Sequence, residues 1–175
     1  MNDKQPCLSL RDMKVIVVSG ARSNVGKTLL SRALCKLLPD AVRVKIGHHA
    51  WKPGGDRNFY PMGTRFSAIV AEHSNARFLI IESNRILEEI TPDCTIYLPA
   101  DNPKPSAEIA MKKADIIRGE RVPASRLAVL AKRMECDKDV IRAIAELSGS
   151  LSTFVSPKGS GRKKQTEANR STMHR

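Results

Sequence analysis

Hydrophobic and polar positions fall into short blocks with two different periods. Val15 to Val18 form a continuous apolar run inside a strand predicted over Lys14 to Ser19. After a small-residue turn, Leu29, Leu30, Ala33, Leu34, Leu37 and Leu38 recur at helical spacing, which predicts a helix from Lys27 to Leu38. Pro39-Asp40 ends it. Val42 to Gly47 alternates and reads as a second strand. The stretch from His48 to Gly63 is polar and turn-rich, and a loop of that length in a compact domain is usually functional. A helix is expected over Thr64 to His73, and one or two helical turns over Ile86 to Ile90. Phe78 to Ile81, ending in Glu82, and Cys94 to Leu98 are continuous apolar runs of the kind buried on both faces of a parallel sheet. Then come a helix over Pro105 to Lys113 and a short edge strand at Asp115 to Ile117. Two amphipathic helices close the pattern, Pro123 to Met134 and Asp137 to Leu147, with Asp137 as N-cap.

Strands alternating with helices predict an α/β fold. The expected form is a doubly wound, mostly parallel sheet of the P-loop NTPase type with extra C-terminal helices and its ligand outside the strand C-termini. One nucleotide-binding domain is expected over residues 13–150, with flexible termini at 1–12 and 156–175. The last two helices share the outline of a helix-turn-helix, but a simple packed pair is the commoner outcome.

The turn between the first strand and helix carries the chemistry. It reads Gly20-Ala21-Arg22-Ser23-Asn24-Val25-Gly26-Lys27-Thr28, and Leu29 follows. Strand, loop, Gly-Lys-Thr, helix is the architecture of a phosphate-binding loop. Its backbone N–H groups and the helix N-terminus aim partial positive charge at one spot. Lys27 would reach the β- and γ-phosphates, and the Thr28 hydroxyl would hold Mg²⁺. The usual spacing puts the first glycine at position 21, which is Ala21 here; the glycine lies one residue earlier, so this loop is one residue longer.

Such a loop needs acids for its metal. Glu82 ends an apolar strand, where a metal-binding carboxylate would sit, or it caps the turn at Ser83-Asn84. Asp56 lies in the long loop, as a metal ligand or as a turn residue after Gly54-Gly55. Thr28, Asp56 and Glu82 together suit a hydrated Mg²⁺, which takes few protein ligands. His48 and His49 stand on the ligand side of the sheet as phosphate donors, metal ligands or acid–base groups. Lys52 is a solvated lysine on this reading, and Trp51 a loop anchor.

Charge and cysteine content narrow the partners. Of the formal net charge of +12, the segment Thr153 to Arg175 holds +5, leaving +7 on the body. A basic body suits a nucleotide or another polyanion. The basic tail has no aromatic interleaving for base stacking, so nucleic acid is not the expected partner. Cys7, Cys35, Cys94 and Cys136 are scattered without zinc spacing and read as reduced thiols. No apolar run reaches the length of a membrane span, and the N-terminal residues lack a signal-peptide core; a cytoplasmic protein is expected.

The long loop Gly20 to Thr28 resembles that of dethiobiotin synthetase. Two further blocks shift the likeness. Val44-Lys45-Ile46-Gly47-His48-His49, followed by Lys52-Pro53-Gly54-Gly55-Asp56 and Gly63-Thr64, is similar to the molybdopterin-guanine dinucleotide biosynthesis protein B family. So is Leu79-Ile80-Ile81-Glu82-Ser83-Asn84, with Ser83 in place of that family's glycine. The resemblance covers roughly residues 14–100. It implies Mg²⁺, GTP in preference to ATP, slow hydrolysis, and commonly a homodimer. It also implies a molybdopterin-cofactor enzyme or its maturation protein as partner, with Lys27 and Glu82 as catalytic residues. The guanine motif of such proteins is missing: Pro99-Ala100-Asp101-Asn102-Pro103 follows the last buried strand, where Asp101 could read guanine and Asn102 adenine. The rivals are an ATP-dependent enzyme of the dethiobiotin-synthetase type or small-molecule kinase, and a basic nucleic-acid or partner-binding module.

Removal of Gly159 to Arg175 is expected to leave nucleotide affinity and melting temperature nearly unchanged, because that segment has almost no apolar residues to bury. Calorimetric titration and thermal unfolding of the truncated chain check it; a drop of several degrees would show that the tail packs.

Overall fold

The computed structural model describes residues 13–48 and 58–149. Six parallel strands form one sheet in the order β3-β2-β4-β1-β5-β6. They are β1 Lys14–Gly20, β2 Ala41–Gly47, β3 Phe59–Pro61, β4 Phe78–Glu82, β5 Cys94–Leu98 and β6 Ile116–Ile117. The helices are α1 Lys27–Leu37, α2 Phe66–Glu72, α3 Ile86–Glu89, α4 Ala107–Lys112, α5 Ala124–Met134 and α6 Lys138–Leu147. This is a doubly wound α/β fold.

The continuous apolar strands are the central ones: every residue of β1, β4 and β5 is buried. Alternate side chains serve opposite faces. Ile16, Val18, Ile80 and Ile96 pack with Leu30 and Leu34 of α1, Leu130 and Met134 of α5, and Ile141 and Ile144 of α6. Val15, Val17, Leu79 and Ile81 pack on the other face with Ile69 and Val70 of α2, Leu87 of α3, and Ala107 and Ala110 of α4. The connection from β1 therefore covers one face and those from β4 and β5 the other. Neighbouring strands whose connections leave toward opposite faces open a crevice outside their C-terminal ends.

Three details depart from the local pattern. β3 falls inside the stretch expected to be loop; it is three residues long, sits at the sheet edge and is called into the sheet by pairing with Lys45 to Gly47 of β2, not by periodicity. Asp115 does not extend β6. Its carboxylate accepts the Thr95 backbone N–H and an ion pair from Arg133, tying α5 to the strand edge. Asp137 is the N-cap residue of α6, but its side chain makes no capping hydrogen bond. The last two helices pack on each other and on the α1 face, as the packed-pair reading expected. At the N-terminal end of β1, the nearly buried Lys14 pairs with Glu135, the left-handed residue that ends α5. The expected flexible termini at 1–12 and 156–175 lie outside the described residues. Among the described residues, no helix is long and apolar enough to cross a membrane.

Leu34 is fully buried between α1 and the sheet. Leu34→Ala is expected to lower the unfolding free energy by about 2–5 kcal/mol, combining lost transfer energy with a cavity. Equilibrium denaturation checks it; a change below about 1 kcal/mol would mean that α1 is loosely seated.

Candidate functional site

The crevice is a cleft of about 650 Å³, within the range of small-molecule sites. The loop from Gly20 to Thr28 forms one wall. Asn24 at φ 63° and Gly26 at φ 97° both take left-handed backbone, and the alternation turns successive peptide N–H groups into a concavity. Gly26 is also the N-cap of α1. No side chain caps it, and the first turn holds no acidic residue, so the positive end of the helix is uncompensated by its own side chains.

The displaced glycine has a steric cause. A Cβ at position 20 would lie 2.6 Å from Val25 Cγ2 and 3.1 Å from the Leu98 carbonyl oxygen. Position 21 tolerates a methyl because Ala21 turns into the core. The backbone of Gly20 is held as well: its N–H donates to Asn84 Oδ1 at 3.0 Å, and its carbonyl accepts from Asn84 Nδ2 at 2.9 Å. Asn84 stands two residues beyond β4, so one side chain fixes the loop's starting point to the neighbouring strand.

Glu82 is the centre of the opposite wall and is 2% exposed. Thr28 Oγ1 donates to its Oε2 at 2.8 Å, and Arg43 Nη1 donates to its Oε1 at 2.7 Å. Ser31 Oγ, one turn along α1, also donates to Oε1. Three donors leave this carboxylate with spare acceptor capacity on Oε2. Glu82 does not cap the turn after β4; Ser83 does that, accepting the Ile86 backbone N–H.

Lys27 reaches back across the loop, and its Nζ donates to the Arg22 carbonyl at 2.7 Å. Desolvation lowers its pKa from the usual lysine range; Lys45 and Lys104 push the same way, and Glu82 opposes them. Arg118, just after β6, braces the loop from outside by donating to the Val25 carbonyl at 3.3 Å.

The predicted residues divide accordingly. Gly20, Arg22, Ser23, Asn24, Gly26, Lys27, Thr28 and Glu82 line the cleft together, and so does His48. Three members of the loop segment do not. Ala21 is buried, with its N–H on the Leu98 carbonyl and its own carbonyl accepting from Lys104 N–H. Val25 packs toward the core. Leu29 is 73% exposed and outside the lining. Asp101 is exposed and does not line the cleft either. Asp56, His49, Trp51 and Lys52 lie outside the described residues. Sequence reasoning missed Ser31, Arg43, Lys45, Asn84, Arg85 and Lys104. Arg43 and Lys45 had a signal: two cations on one side of an otherwise apolar alternation, Val42, Val44 and Ile46.

The donor set fits Mg²⁺ arriving with a phosphate ligand. The Thr28 hydroxyl and Glu82 Oε2 are adjacent at the cleft. Among the described residues no group of three or more His, Cys, Asp or Glu could hold a metal ion by itself. Most ligands would then be water and phosphate oxygens, as Mg²⁺ prefers. No protein-family model and no curated protein matches this chain.

Glu82→Gln is expected to destabilise the fold by about 3 kcal/mol, because it removes one side of a nearly buried ion pair with Arg43 and one acceptor charge from Thr28 and Ser31. Chemical denaturation measures it. Unchanged stability would mean that the pair is solvent-screened and that Glu82 is not the anchor of α1.

Proposed function

We propose that this chain binds a Mg²⁺–nucleoside triphosphate in a P-loop and hydrolyses it slowly. The carrying observation is one constellation. A helix N-terminus without acidic compensation, a left-handed Gly26 and a partly desolvated Lys27 face the same cleft as a Thr28 hydroxyl bonded to the strand-end Glu82. In this reading the loop amides and Lys27 neutralise the β- and γ-phosphates, which is the larger part of phosphoryl-transfer catalysis. Thr28 and Glu82 would hold Mg²⁺, which would supply charge neutralisation to the polyphosphate. Among the described residues Glu82 is the only carboxylate lining the cleft, and three donors already occupy it.

The finer reading is GTP as the nucleotide and a cytoplasmic, homodimeric accessory role in molybdopterin guanine dinucleotide maturation, beside a molybdopterin-cofactor enzyme or its maturation protein. It rests on the family likeness of the three motif blocks and on Asp101 beyond β5. A carboxylate there would accept from the guanine N1–H and N2–H₂, donors that adenine lacks on that edge. Asn102, in left-handed backbone beside it, supports the ATP-dependent alternative.

Lys27→Ala is expected to abolish nucleotide binding without altering the circular dichroism spectrum. Calorimetric titration with GTP and ATP in the presence of Mg²⁺ measures this, and unchanged affinity in a folded variant removes the P-loop assignment. In the native chain, tighter ATP than GTP would replace the GTPase reading with the dethiobiotin-synthetase-like one.

A further inference from the structure

The cleft gathers more positive charge than its phosphate loop supplies. Arg22, Lys27, Lys45, Arg85 and Lys104 line it, against Glu82 as the one carboxylate among the described residues. Glu82 is itself paired with Arg43. Mg²⁺ accompanying a triphosphate cancels about half of that ligand's charge. The loop amides, the α1 terminus and Lys27 already face the remainder.

Three of these cations come from outside the loop and converge from separate segments. Lys45 stands near the end of β2, Arg85 follows β4 and Lys104 follows β5. Among the described residues, none of the three has a carboxylate within ion-pair distance. Arg85 and Lys104 also line a second hollow of about 540 Å³, with His48, Ser106, Glu88 and Ile109. The two hollows share His48, Arg85, Lys104 and Ser106. Like charges held on one concave surface repel, and an anion seated among them removes the repulsion. Arginine favours planar anions because its fork matches a carboxylate or phosphate at two points. Ile109, 38% exposed, adds an apolar wall suited to a carbon skeleton.

We propose that Arg85, Lys104, His48 and the Ser106 hydroxyl form a second anion subsite beside the phosphate loop, which takes the phosphate or carboxylate group of a second, organic ligand. This rests on the P-loop reading, since the subsite is second only if a nucleotide fills the first. Lys45 lies at the junction of the two.

The test uses the full chain saturated with Mg²⁺ and a non-hydrolysable triphosphate analogue, titrated calorimetrically with inorganic phosphate and separately with succinate. A saturable one-to-one site is expected for at least one of them, and which one binds distinguishes a phosphorylated from a carboxylate ligand. Arg85→Ala should weaken that anion about ten-fold, several times more than it weakens the nucleotide. Glu88→Gln removes the negative charge from the hollow and should strengthen the anion. Nucleotide binding with no saturable anion binding overturns the subsite alone. So does an Arg85→Ala variant that weakens nucleotide and anion equally, because the cation then belongs to the polyphosphate. A native chain that binds no nucleotide overturns the P-loop reading and the second subsite with it.

Discussion

A carboxylate taken out of water has to be matched, and the match at Glu82 organises this molecule. Its partners come from two elements, Thr28 and Ser31 from α1 and Arg43 from β2, so that the glutamate joins both to β4. Burying an ion is unfavourable unless charge and hydrogen bonds compensate it together. The two α1 hydroxyls on Glu82 seat the first turns of that helix against the end of β4. That arrangement sets the direction of the α1 N-terminus, and with it the direction of the loop from Gly20 to Thr28.

The loop is then fixed at its other end by geometry. Asn84 grips both backbone groups of Gly20, and the space above Gly20 is filled by Val25 and the Leu98 carbonyl. A loop tethered to β4 at its start and to Glu82 at its end has few ways to move. Preorganisation of this kind aims the N–H groups before a ligand arrives, which is where electrostatic binding sites derive most of their strength. The extra residue between Gly20 and Gly26 is accommodated by seating Ala21 in the core, with its backbone committed to Leu98 and Lys104.

Electrostatics around the cleft follow the same economy. Its single described carboxylate neutralises Arg43 from below, so the cations above it are left facing the open volume. Desolvation weakens Lys27's hold on its proton, and its like-charged neighbours weaken it further. Among the described residues the lining of the cleft therefore carries net positive charge.

The sequence by itself determined the layers and the loop. Central parallel strands are buried on both faces, so β1, β4 and β5 had to be continuous apolar runs, and helical spacing marked α1, α5 and α6. The turn at Gly26-Lys27-Thr28 was legible as a strand-to-helix junction because strand, glycine turn and helix are neighbours in the chain. Glu82 was legible as a strand-end acid, but not as the hub of a buried cluster. The tertiary structure alone decided its partners, because Ser31 and Arg43 lie 51 and 39 residues away from it and Asn84 lies 64 from Gly20. Periodicity reports only which face a residue occupies; it carries no information about which residue of another strand or helix arrives opposite. The same holds for β3, an edge strand made by pairing with β2, and for Lys45, Arg85 and Lys104, whose convergence is a product of strand order. Local preferences are written in spacing, whereas a site built from strand ends exists only once the strands are in order.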